Sequence, residues 1–103
     1  MLFPFTLRRI QGRSMLKALN EGDFVLGRRV GLKSLIDVGD VIEISHPRLG
    51  NIVKRVIDFD ETHIWVKGDA LNSIASSEIG PISRATVVAK ALWRISPRGI
   101  RRI

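Results

Sequence analysis

The stretch Asn51-Ile52-Val53-Lys54-Arg55-Val56-Ile57-Asp58 decides the fold. It is dense in valine and isoleucine, and Gly50-Asn51 opens it with a turn signal, so it reads as a β-strand. Alternate residues of a strand face opposite ways. Ile52, Lys54 and Val56 therefore share one face, and Val53, Arg55 and Ile57 share the other. Lys54 thus stands between two β-branched neighbours. Spacing leaves two readings open for it: an ammonium on a solvated sheet face, or an amine held in apolar surroundings.

The same rhythm of short apolar runs continues in both directions from this stretch. Gly12, Gly22-Asp23, Gly39-Asp40, His46-Pro47, Gly68-Asp69 and Gly80-Pro81 punctuate the chain, and glycine and proline are the strongest local turn signals. Further strands are expected at Phe24–Arg28, Val41–Ser45, His63–Lys67 and Thr86–Ile95. Between Ser14 and Asn20, Met15, Leu16 and Leu19 fall at helical intervals before Glu21-Gly22 stops the pattern, which predicts one or two helical turns. Leu71–Ile79, small and polar, reads as a loop. The fold class is mainly β with one short helix.

With 103 residues, the chain has room for one domain over residues 1–103. Within it, 1–10 reads as an N-terminal segment and 97–103 as a basic tail. Apolar residues make up 45% and charged residues 26%, a composition that folds rather than one that stays disordered. Seventeen basic against ten acidic residues give a formal charge of +7. Such a surface attracts nucleic acid, anionic lipid or acidic partners without choosing among them. The sequence has no cysteine, which removes disulfides, thiolate metal sites and cysteine nucleophiles. No stretch approaches the ~20 apolar residues of a membrane-crossing helix. Met1-Leu2-Phe3-Pro4-Phe5 is apolar, but Arg8 and Arg9 follow it, the reverse of a secretory signal. The expected location is cytoplasmic or at a membrane periphery.

The two histidines offer little chemistry. His46 and His63 stand in no metal-ligating spacing and beside no partner suited to a Ser-His-Asp triad; His46, before Pro47, reads as a solvated loop residue. Trp65 and Trp93 lie in apolar strands and read as core. A serine hydroxyl can also be activated by a neutral lysine, provided that burial lowers the amine's pKa. Lys17, Lys33, Lys67 and Lys90 lie at element ends or in polar surroundings, where an ammonium stays hydrated. Ser14 precedes the helical pattern, where a serine caps a helix and where a nucleophile could equally face free backbone N–H groups. Both readings stay open on spacing. Met15 either lines a cleft beside Ser14 or packs.

The order of these segments resembles the signal peptidase I family of Ser/Lys peptidases over about 85 residues. Gly12-Arg13-Ser14-Met15-Leu16-Lys17-Ala18-Leu19 looks like the family's nucleophile box S-M-x-P-T-L. Glu21-Gly22-Asp23-Phe24-Val25-Leu26 and Gly39-Asp40-Val41-Ile42 look like its two G-D segments. Val53-Lys54-Arg55-Val56 matches its K-R-V strand, the most specific single match. Trp65-Val66-Lys67-Gly68-Asp69, Ser73 and Ile79-Gly80-Pro81-Ile82 resemble the closing box.

The resemblance implies a coiled, partly closed antiparallel sheet of the kind shared by signal peptidases and LexA-like proteins. It further implies Ser14 as nucleophile, Lys54 as general base, Ser73 as the residue orienting the lysine, and the Ser14 backbone N–H as an oxyanion donor. Met15 would line the substrate cleft. The reaction implied is hydrolysis of a leader-type peptide or precursor protein through an acyl-enzyme, with no metal or cofactor. A peripheral membrane contact is compatible with it, and nucleic acid is not an expected partner. Departures from the family pattern are Lys17 and Ala18 in place of Pro and Thr, Ala70 in place of Asn, and Ala75 and Ser77 in place of an Asp and an Arg. Gly12 replaces the serine that some members use as a second oxyanion donor.

Two other readings compete. One is a LexA-like self-cleaving protein, which shares the dyad, although the segment before Ser14 holds no helix-turn-helix. The other is a binding module of the same fold that uses Arg8, Arg9, Arg13, Arg94, Arg98, Arg101 and Arg102 as a basic surface.

Overall fold

A computed structural model describes residues 3–12, 15, 18–31, 35–70 and 79–103. Among these the chain forms eight strands: β1 (Phe5–Arg9), β2 (Phe24–Arg29), β3 (Val41–His46), β4 (Gly50–Phe59), β5 (His63–Lys67), β6 (Ile82–Ser83), β7 (Val87–Ser96) and β8 (Gly99–Arg102). All five expected strands are present with bounds within one residue. The 3₁₀ turn Arg84–Thr86 takes Thr86 from the start of the last one.

The pairing is antiparallel throughout, in the order β1-β2-β7-β3-β4-β5-β6 with β8 beside β7. β1 and β6 end that path and β8 forms a further edge, so the sheet is coiled without closing into a barrel. The basic end, read as a tail, is in part strand β8, paired with β7 from Trp93↔Arg102 to Ser96↔Gly99.

Coiling brings distant strands together. Although β2 and β7 separate β1 from β3 in the sheet order, Thr6 and Arg8 of β1 both bond Glu43 of β3. β3 is covered on both faces, with Val41, Ile42, Glu43 and Ile44 all buried. Ile42 and Ile44 join Val56, Ile64, Val66, Ile79, Ile82 and Val87 in one apolar cluster. Val41 joins a second, with Ile10, Met15, Leu19, Val25 and Ala91. Burying an aliphatic side chain of this size is worth roughly 1.5–3 kcal/mol, so these clusters dominate what holds the curl.

The excursion from β1 to β2 is closed at its base by hydrogen bonds from Ile10 N–H to the Asp23 carbonyl (2.7 Å) and from Gly22 N–H to the Ile10 carbonyl (2.9 Å). Gly22 has φ of 91° there, a left-handed conformation open to glycine at little cost. Leu19 N–H bonds the Met15 carbonyl at 2.7 Å, the i to i−4 spacing of one helical turn. Ser14, Lys17 and Ser73 lie outside the described residues, as does most of the Leu71–Ile79 loop.

Two expectations are corrected. His46, read as solvated, is buried at the end of β3. Its Nδ1 accepts from the backbone N–H groups of Arg48 and Leu49, both at 3.1 Å, so the ring fastens the Pro47 turn. Trp93, read as core, is 39% exposed, because its side of β7 is the outer face of the curl.

Candidate active site

Lys54 is buried on β4. Its cross-strand partner is Ile42, which is fully buried, and directly opposed residues share a face. Ile52 and Val56 flank it on the same face, as the alternation predicts, and both belong to the larger apolar cluster. Of the two readings that spacing left open, the structure supports the amine in apolar surroundings. Desolvation pushes the Lys54 pKa below its usual 10.5. The effect has the sign a general base requires, because burial disfavours the charged form.

Lys54 lines a cavity of about 360 Å³. Arg8 to Gln11 line it from β1 and its extension, and Asn51 to Val53 join Lys54 from β4. Both walls are strand edges. Among the described residues β1 pairs with β2 alone, residues 50–54 pair with β3, and the β5 ladder starts at Arg55↔Lys67. An extended peptide lying between these strands could add backbone hydrogen bonds to either one.

Met15 also lines this cavity and is buried in the second apolar cluster. It is therefore both a packing residue and a cleft residue, and it places the chain position next to Ser14 at the same cavity as Lys54. Ser14 and Ser73 themselves fall outside the described residues. The expected poor bases behave as expected where described: Lys67 is exposed, and the Lys90 amine is 3.2 Å from the Asp40 carboxylate.

Three ion pairs brace this region, and none was read from the sequence. Arg55, beside Lys54 on the opposite face, forms a two-pronged pair with Asp69 at 2.8 and 2.7 Å and donates to the Gly39 carbonyl at 2.8 Å. Its guanidinium holds the Asp69 carboxyl below the ordinary 3.8. Nothing in the sequence pointed to this pair, which follows from the Arg55↔Lys67 register that sets Asp69 two residues past the partner of Arg55. Arg94 Nε bonds Asp23 at 2.7 Å and anchors the base of the Met15 excursion to β7. Arg8 Nε bonds the buried Glu43 at 2.9 Å. Arg8 and Arg94 are thus each paired through Nε with an internal carboxylate, which offsets two of the charges counted in the expected basic surface.

A curled antiparallel sheet with a buried lysine on the wall of a strand-lined cleft has the architecture of a β-sheet peptidase. A family model described as signal peptidase, peptidase S26, matches residues 1–72, and the chain belongs to that family. No curated protein matches the chain. The matched span takes in Ser14, Met15 and Lys54 and ends one residue before Ser73.

Proposed function

We propose that this protein is a serine endopeptidase working through a Ser14/Lys54 dyad on a leader-type peptide or precursor protein. The observation that carries the reading is the burial of Lys54, without a carboxylate partner among the described residues, on the wall of a cleft that Met15 shares. The uncharged Lys54 amine takes the proton of the Ser14 hydroxyl as its oxygen attacks the scissile carbonyl. The Ser14 backbone N–H steadies the oxyanion, and Ser73 donates to or accepts from the amine to aim it. Collapse breaks the C–N bond, and the proton on Lys54 passes to the leaving amine. Water, deprotonated by the same amine, then releases the acyl group and restores the serine. No step needs a metal or cofactor.

Ser14→Ala is expected to lower cleavage of a small-residue leader peptide by at least ~10³-fold, since it removes the attacking atom. Ser73→Ala is expected to cost less, about 10-fold, and mainly in kcat, because it alters aim rather than chemistry. Peptide turnover followed by mass spectrometry measures both, and wild-type rates in Ser14→Ala end the proposal. The same experiment on the protein alone tests the self-cleaving reading, which requires a clipped chain at raised pH.

Peripheral membrane contact is favoured by the outer face of the curl. Leu7, Leu26, Trp93 and Arg102 stand in one cross-strand row, and Arg9, Phe24, Ile95 and Ile100 in the next. Leu7 is 64% and Ile100 67% exposed. Apolar side chains mixed with arginine suit the boundary between acyl chains and anionic headgroups. Sedimentation with phosphatidylserine-containing vesicles is expected for wild type and reduced several-fold for Leu7→Ser/Ile100→Ser. Equal sedimentation of both proteins, or none for wild type, counts against lipid contact.

A further inference from the structure

We propose that the cleft selects a carboxylate side chain in its substrate, and that Arg8, held in place by buried Glu43, is the residue that reads it. The inference rests on the cavity being a peptide cleft, but not on the dyad being active.

Thr6, Arg8 and Ile10 turn inward on successive alternate positions of β1 and its extension, while Leu7 and Arg9 are exposed. An arginine on the inward face is unusual, and its cause is Glu43, whose side chain is 1% exposed. One Glu43 oxygen accepts from the Thr6 hydroxyl at 2.6 Å and the other from Arg8 Nε at 2.9 Å. A guanidinium carries five N–H donors in a fixed plane. The Nε bond uses one and sets the orientation of the rest, so Arg8 is a held fork rather than a swinging surface cation.

The surroundings give that fork a ligand of one kind. Arg8 is the inward-turned arginine of the cavity wall, Gln11 and Asn51 supply amides beside the Lys54 amine, and no carboxylate is among its described lining residues. Glu43 does not reach the wall. A substrate carboxylate would therefore meet the remaining donors of Arg8, with Glu43 engaged at Nε and no other acid among the described residues of the wall. Charge-assisted, two-pronged arginine–carboxylate bonds are about twice as strong as neutral ones. An uncharged base at Lys54 leaves this recognition to Arg8.

Strand geometry also sets the position. An extended peptide along β1 presents inward side chains every second residue. Arg8 and Ile10 are two residues apart, and Ile10 and Met15, with Ile52 and Val53 of β4, form the apolar part of the wall. The acidic side chain therefore lies two residues from the one seated against Ile10 and Met15, which is itself small and apolar.

The test uses extended small-residue peptides in which a single Glu is moved through the positions around the cut, each paired with its Gln twin. Binding is read by fluorescence anisotropy with Ser14→Ala protein, and cleavage with wild type. One Glu position is expected to bind about tenfold more tightly than its Gln twin, a difference of ~1.4 kcal/mol. Preference should shrink with added salt and vanish in Arg8→Gln/Glu43→Gln, which removes both charges together and leaves no lone buried carboxylate. Wild type alone suffices should that variant fail to fold. Glu and Gln peptides binding equally at every position overturn the inference, even if both are cleaved. Selective binding of the Glu peptide without cleavage leaves the inference standing and removes the catalytic reading.

Discussion

Lys54→Met is expected to abolish peptide cleavage and, at neutral pH, to make the protein more stable. General-base assistance is worth about 10²–10⁴-fold in rate, and methionine has a similar length and no proton to exchange. The gain in stability follows from the same burial that makes the lysine useful. In the folded protein desolvation lowers its pKa below 10.5, so between the folded value and the unfolded one the unfolded chain binds more protons. Stability of the wild type therefore rises with pH through that window and is lowest below it. Methionine against Ile42, Ile52 and Val56 carries no such cost. Melting curves across pH should place the variant above wild type near pH 7, with the gap closing as pH climbs towards the free-lysine value. A chain of this size shifts its Tm by about 4–8 °C per kcal/mol. A variant that melts below wild type at every pH, or that still cuts, contradicts the assignment of a buried, uncharged amine as base.

The strands were legible where their chemistry follows the ordinary rule. Val41–His46, Gly50–Phe59 and His63–Lys67 are runs of Val and Ile between turn signals, and period-2 reading set Lys54 on the correct face beside Val56. β1 was not legible because its inward face is Thr6-Arg8-Ile10, polar at two of three places. The apolar count that reveals other strands cannot reveal one whose inner partner is a carboxylate 37 residues away in sequence. Trp93 failed for a related reason: an aromatic residue in a strand is core only if something covers its face, and the curl leaves that face outside. His46 depended on a turn geometry that Pro47 hints at but does not specify. In the candidate site, alternation indicated which neighbours Lys54 has but not its burial. Burial needed the Ile42 pairing, and no spacing argument supplies a register. The braces at Arg55, Arg94 and Arg8 join residues 14, 71 and 35 positions apart, so single-chain patterning carries little trace of them.

Gly27→Ala is expected to be among the most damaging single-methyl additions available to this chain, costing about 3–5 kcal/mol, the range seen when a buried ion pair is broken. Gly27 lies on β2 beneath the crossing of β1 over β3. A Cβ there would collide with the Glu43 carboxylate, sit 2.6 Å from the Thr6 hydroxyl oxygen and 3.2 Å from Ala89 Cβ. None of these can yield freely: Glu43 is held by Thr6 and Arg8, and Ala89 is fully buried. The added methyl must therefore either unseat the carboxylate from its donors or push β1 off β3, and the second opens the wall that carries Arg8. The glycine is required by lack of space, since only at positions such as Gly22 is positive φ the reason. Gly31→Ala, with nothing among the described residues within 4 Å of the new Cβ, is the matched control and should change stability by less than about 0.5 kcal/mol. Urea titration of both variants measures the contrast. If Glu43 is the obstacle, Gly27→Ala should cost far less in a Glu43→Ala background than in wild type, a coupling that a double-mutant cycle reads directly. Strict additivity in that cycle would mean that the methyl is rejected by something other than the carboxylate, and that the clamp between β1 and β3 is not what dictates glycine at this position.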